Sequence, residues 1–402
     1  MDPLIQNLYG VLTQVQGFIY PNEAELHWSL LIVLYPYITG LVAGAFILAS
    51  LERVFKVKAV KPTYHLALLT ALAFLICAPI PLNAHLTQPI RAYEIMITPH
   101  LTSAMAVFGF VYMWYLMVVL LLEIWFDYRR DFVVWSNEKT GIMKWIYKIL
   151  TLGVTDISEN ALKWDDKLGR FITIIGIPSA FFLHGYVGFI FGSIKANPWW
   201  STVLMPVIFI FSAMVSGIAL VMLLYMLISL LRRVSANMEC LDTIGRYLLY
   251  ALILDFSLEA LDQIHRFYEA EESFEIISLL MSGKLYITLI VVQILLGTVV
   301  PLVTLGLLQV YKPSEQKRRL IYWMDSALVL IGIFAMRWNV VIGGQLFSKS
   351  FYGFTAYKIE LIGREGFLVA SGLVVLPFII LGFLLWLMPP WRKEDGREYL
   401  KA

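Results

Sequence analysis

Runs of roughly twenty mostly apolar residues, set between short polar connections, recur along almost the whole chain. A helix needs about 20 residues to cross a hydrocarbon layer of about 30 Å, and runs of this length mark membrane spans. Lipid offers no partner for backbone N–H and C=O groups, so the spanning elements must be helices or closed barrels. These runs lack the every-second-residue alternation of barrel strands, which leaves helices. Composition agrees: 59% of the 402 residues are hydrophobic and 15% charged, against roughly 45–50% and 25% in an average soluble domain. The expected fold is therefore all-α, a polytopic membrane helix bundle with about nine transmembrane helices. They fall near 28–50, 64–82, 101–125, 170–194, 202–231, 243–262, 285–310, 320–346 and 366–389. One integral membrane domain over 28–390 follows a surface segment 1–27 and precedes a tail 391–402.

Lys and Arg in the connections set the orientation, because they accumulate on the cytoplasmic side. With the N-terminus outside, the inner connections hold 22 such residues, among them Lys56, Arg129, Arg232, Lys317 and Arg392. The outer side holds seven: Arg91, Lys195, Arg266, Lys284, Lys349, Lys358 and Arg364. This predicts a multi-pass protein of the cell membrane, N-terminus outside and C-terminus cytoplasmic. The first 27 residues carry no Lys or Arg and no apolar stretch of signal-peptide type, so no cleaved leader is expected. Within the long inner connection, NEKTGIMKWIYKILT reads as a surface helix with Ile and Trp toward the membrane. The net charge of +2 has no basic stripe behind it, which argues against nucleic acid.

Two cysteines, Cys77 and Cys240, cannot supply the four thiolates that iron–sulfur clusters use. No P-loop, dinucleotide-binding glycine pattern or zinc-type spacing occurs. Electron chemistry would need a bound organic molecule or a cofactor in another subunit. The six histidines lie mostly at one side: His27, His85, His100 and His265 at outer helix ends, His184 at mid-membrane and His65 at the inner side. They do not fall as facing pairs at one depth, so no haem is expected either.

Charges inside spans mark function more often than not, since they are expensive in lipid. In the sixth run Asp255, Glu259 and Asp262 are spaced i, i+4, i+7 and share one helix face in its outer half. Arg337 in the eighth run lies at a similar depth, within about 3 Å at 1.5 Å per residue. An ion pair from Arg337 to Asp255 and Glu259 is the expected compensation. That group, extended inward by His184 and Glu123, would form a proton path. A purely structural ion pair explains the same spacing.

Four segments resemble one known family: GLVAGAF (Gly40 to Phe46), HLTQPIRAYEIMITPHLTSAMA (His85 to Ala106), HGYVG (His184 to Gly188) and RWNVVIGGQ (Arg337 to Gln345). Their order and spacing are similar to those of the NrfD/PsrC family of quinone-interacting membrane subunits. RWNVVIGGQ and the helices beyond eight look most like the larger members, typified by DsrP of the DsrMKJOP sulfur-metabolism complex and its HmeB, TmcC and HybB-type relatives. The resemblance implies two four-helix bundles plus one added helix. It also implies a menaquinone-type quinone near the outer face and a ferredoxin-like iron–sulfur subunit docked there. Cytochrome c and cytochrome b/HdrD-like subunits join if the complex is DsrMKJOP-like. Carried over, the headgroup site would comprise His85, Arg91 and His184 from the quoted segments, with His27 and Tyr35 matched only by position at the head of the first span. Two other classes stay open: a secondary transporter, favoured by broken helices in two inverted halves, and a structural anchor without a quinone site.

Overall fold

The computed structural model describes residues 15–98, 100–269, 273–391, 393–394 and 397–398. The expected surface segment 1–27 is therefore described from residue 15, and the tail 391–402 lies largely outside the described residues. The chain is nearly all helical. Its long helices are α1 (Leu30–Arg53), α2 (Tyr64–Cys77) continued by α3 (Pro79–His85), and α4 (Ala104–Trp114) continued through a π-helical stretch into α5 (Leu121–Glu138). A surface helix α6 (Gly141–Leu150) leads to α7 (Glu159–Gly192), α8 (Met205–Leu231), α9 (Met238–Glu269) and a short α10 (Phe274–Ser282). A second π-helical stretch (Tyr286–Val299) continues as α11 (Val300–Val310), and α12 (Glu315–Val341) and α13 (Phe367–Leu387) complete the set.

Among the described residues, eight helical segments are long and apolar enough to cross a membrane, and each corresponds to an expected run. The sixth expected run lies in α9, which fails on composition because it carries Asp255, Glu259, Asp262 and Arg246. Its ends still lie on opposite faces of the bundle. Near its start, Asp242 accepts from Arg318 and from the Tyr322 hydroxyl (2.8 Å) at the beginning of α12. Near its end, Arg266 donates to the carbonyls of Pro198 and Trp199 in the turn between α7 and α8. The helix runs the full thickness, about 48 Å for 32 residues. Of Asp255, Glu259, Asp262 and Arg246, only Arg246 is exposed, and Asp255 and Asp262 are buried, so its mean hydropathy understates how well it fits there.

The face where α1 begins is called the head face, and the one where it ends the tail face. Helices α1 and α8 form the seam between the halves. Gly40 and Gly44 of α1 lie four residues apart, as do Ala213 and Gly217 of α8. A Cβ on Gly44 would sit 2.0 Å from the Ala213 carbonyl oxygen, and one on Gly217 2.4 Å from the Ala45 nitrogen. Small residues let the two backbones touch, which is how helices pack where lipid removes the hydrophobic drive. A second crossing joins Gly297 to Gly332, where an added Cβ would meet the other backbone at about 2.4 Å. Helix α1 is buried along almost its whole length. By contrast α13 buries only Ala370, Pro377, Leu381 and Leu384 and packs on α2 as an added helix.

The expected surface helix is α6. It lies on the tail face, where the Tyr147 hydroxyl donates to the Leu387 carbonyl (2.9 Å), while Ile142, Trp145 and Ile149 point outward. On the head face a two-residue strand, Gln16–Gly17, pairs with Gly353–Phe354 and ties the first described residues to the connection after α12.

Candidate functional site

The IGGQ end of α12 clamps the head of α1. Gln345 accepts from the Trp28 N–H (3.0 Å) and donates to the Trp28 carbonyl (3.2 Å). Gly344 leaves room for the Trp200 indole, whose nitrogen a Cβ would meet at 2.1 Å, and that indole donates to the Val340 carbonyl (2.6 Å). The clamp fixes the register of α12. It sets Arg337 into the seam between the halves.

Arg337 is fully buried, and its partners differ from those expected. The guanidinium reaches His184 Nε2 (3.0 Å), Ser212 Oγ (2.6 Å) and Met336 Sδ (3.0 Å), and lies 4.0 Å over the Phe209 ring. Its Nε has no partner. Asp255 and Glu259 interact with it electrostatically, but neither forms an ion pair with it, so the expected contact pair is corrected. The reason is azimuth: equal depth puts the groups on one level, yet Arg337 points toward α7 and α8 while the acids sit on α9. An arginine can only donate, so His184 Nε2 must accept. The imidazole is then neutral with its proton on Nδ1, which is buried without a hydrogen-bond partner. Gly40 closes this pocket, since a Cβ there would press on the imidazole at 3.1 Å.

On the head side of this centre the polar groups form a chain. Gln293 donates to Glu259 (3.1 Å), Asn339 donates to Gln293 (2.8 Å), and Thr288 donates to Asn339 (2.6 Å). Asp262 accepts from Thr202 (2.6 Å) and from Arg266 (2.9 Å). Asp255 lies deeper, 4% exposed, with one carboxylate oxygen unpartnered. Gln293, absent from the expected set, sits in the π-helical stretch; a lone Gln in an apolar run was its only sequence signal.

Glu123 belongs to a separate cluster toward the tail face. It accepts from Thr173 (2.8 Å) and Tyr64 (3.4 Å). Next to it Asp127 meets Arg53 (3.3 Å) and His65 (3.0 Å), and Arg53 reaches exposed Asp166 (3.3 Å). Thr173 and His184 share α7 but stand roughly 16 Å apart along its axis. Phe46, Val119 and Gly176 pack tightly between them. The continuous Glu123 to His184 relay expected from the sequence is therefore not made by direct contacts.

The remaining expected headgroup residues do not converge. His27 is exposed just before α1. Tyr35 is buried in α1, with Tyr112 and Tyr186 as electrostatic neighbours. His85, at the end of α3, meets Glu365 at the head of α13 (3.0 Å). Arg91 lies on an exposed turn in a two-pronged contact with Glu94 (2.9 and 3.1 Å). A cleft of about 260 Å³ lies between α3 and α4, with Pro79, Leu82, Asn83, Leu86, Tyr93 and Tyr112 in its wall; His27, Tyr35, His85 and Arg91 do not line it.

The chain is 29% identical over 332 residues to the C subunit of the selenate reductase of Mesobacillus selenatarsenatis, covering 78% of this chain and 73% of that protein. It is 26% identical to the putative membrane subunit of a dimethyl sulfoxide reductase of Halobacterium salinarum, over 55% of this chain and 48% of that one. It is also 26% identical to protein NrfD of Escherichia coli, over 53% and 63%. The model of the family described as polysulphide reductase, NrfD matches residues 21–349, from the head of α1 through the clamp after α12, and the chain belongs to that family.

Proposed function

We propose that this chain is the quinone-interacting membrane subunit of a multi-subunit oxidoreductase, exchanging electrons between a menaquinone-type quinone and an iron–sulfur subunit on the head face. The observation that carries the reading is the cleft between α3 and α4, apolar enough for a ring and tail, with His85 on the same short helix that lines it. Quinol oxidation releases protons and electrons together. His85, held by Glu365, is a positioned proton acceptor of the kind that general base catalysis uses. With only two cysteines, the chain must pass electrons to a partner. Relatives named as subunits of selenate and dimethyl sulfoxide reductases support membership of such a complex.

The finer reading rests on RWNVVIGGQ and the added α13: a DsrP-type subunit in sulfur-compound metabolism, with cytochrome c and cytochrome b/HdrD-like partners. The Lys and Arg distribution makes the head face the outer one. Proton exchange on that side fits the hydrogen-bonded chain from Glu259 to Thr288. The packed layer at Phe46 and Gly176 argues against a direct wire from there to Glu123.

Alanine at His85 or at His27 tests the headgroup site. Loss of a proton acceptor lowers turnover of a menaquinol analogue by about a hundredfold, since such groups contribute 10²–10⁴-fold, while the complex still assembles. Full turnover in both assembled variants would place the headgroup elsewhere.

A further inference from the structure

The second half of the molecule holds a cleft that the reading above leaves unused. It measures about 370 Å³ and is bounded by α8, α9, the Tyr286–Val299 stretch and α12. A larger cleft of about 710 Å³ adjoins it near the head face, and both are lined by Gln263, Phe267 and Met281. The walls are apolar, with Ile208, Phe256, Leu289 and Ile294 among them. The floor is not.

Glu259, Gln293 and Asn339 line the inner cleft, and Asn339 and Gln293 are 1% and 6% exposed. Each primary amide has two N–H groups. Gln293 spends one on Glu259 and Asn339 spends one on Gln293, so each keeps a second N–H. Gln263, one turn past Glu259 on α9, has its side-chain oxygen buried without a donor. Two spare donors and an unpaired acceptor thus surround a space of ring size. A buried polar atom left unpaired is costly, so a ligand that pairs it is favoured.

We propose that this cleft is a second site for a lipophilic quinone or quinol. Ring oxygens of either form accept from Gln293 and Asn339, in the quinol a ring hydroxyl donates to Gln263 or Glu259, and the tail leaves through the larger cleft. The pattern selects this class. A phospholipid would bring its phosphate toward the Glu259 and Asp262 carboxylates, and Arg266 is already matched by Asp262 and two carbonyls. A lipid with a single hydroxyl would leave the amide donors unpaired. The inference rests on the quinone reading above but concerns the other half of the molecule.

The test is photolabelling of the intact complex in membranes with an azido-menaquinone analogue kept in its quinol form, followed by peptide mapping. Label is expected in 79–112 and also in 256–267 or 289–294, with both displaced by unlabelled quinone. Gln263→Leu should lower the second labelling about five- to tenfold, the equivalent of one hydrogen bond, and leave the first unchanged. Gln263→Met gives the same reading if the Leu variant fails to assemble. Label confined to 79–112 overturns the second site and leaves the proposed function standing. Label in the second cleft that phosphatidylglycerol displaces and quinone does not makes it a lipid groove. No specific label in either region overturns both readings.

Discussion

Arg337 shows how a buried charge is kept without a carboxylate in contact. One guanidinium nitrogen, Nη2, reaches both His184 and Ser212, Nη1 reaches Met336 Sδ, and the planar face lies on Phe209. Removing the guanidinium takes away two charge-assisted hydrogen bonds, worth about 1.5–3 kcal/mol each. Arg337→Ala should therefore lower the thermal midpoint of the detergent-solubilised complex sharply. Arg337→Lys should recover only part of it, because an ammonium lacks both the second nitrogen that meets Met336 and the planar face that lies on Phe209. In double-mutant cycles read by the same melt, Arg337 with His184 should couple by about 1 kcal/mol or more, and more strongly than Arg337 with Asp255. Stronger coupling to Asp255 would restore the ion pair that the spacing of the sequence suggests. Depth was legible in the residues: Asp255 and Arg337 do lie at neighbouring levels. Direction around the helix axis was not, since it depends on how α9, α7 and α8 surround α12. Ser212 gave no signal at all, and Gly40, though it opens GLVAGAF, gave none of its contact with His184, because a serine or glycine in an apolar run says nothing of its neighbour.

At the scale of elements, hydropathy located the eight helical segments that are long and apolar enough to cross a membrane among the described residues, because length and apolarity alone answer to the membrane. Pairing of the spans was less accessible. The α1–α8 seam depends on small residues that a hydropathy reading treats as filler. Gly217→Leu should prevent the halves from closing, since even a Cβ meets backbone at 2.4 Å. Overpacking against side chains costs typically 1–3 kcal/mol, and a rigid backbone gives less, so about 3 kcal/mol or more is expected. The measurement is the yield of monodisperse protein in detergent. Gly306→Ala is the control, for nothing lies within 4 Å of the added methyl group. Equal yields for the two variants would contradict the seam. Helix α9 is the exception: its run over 243–262 reads as a span, its charges take it out of the apolar set, and its partners at Arg318 and Pro198 place its two ends on opposite faces.

For the whole molecule, the two faces carry different chemistry. The head face gathers His27, His85, His265 and the clamp at Gln345, and the tail face carries α6 and the Arg53, Asp127 and Asp166 group. The proposed orientation predicts that Lys349→Cys reacts with a membrane-impermeant maleimide added to intact cells, and that Lys317→Cys reacts only after lysis. Native Cys77 and Cys240 are both buried, so background labelling should be low. The reverse pattern would invert the topology and move the docking face of the partner. The most direct test of the central claim is menaquinol-analogue oxidation in proteoliposomes, followed by reduction of the iron–sulfur partner. The partner subunits are reconstituted with this chain and without it. Reduction of the cluster by quinol should require this chain. Equal rates in its absence would show that quinol reacts with another subunit and would contradict the account.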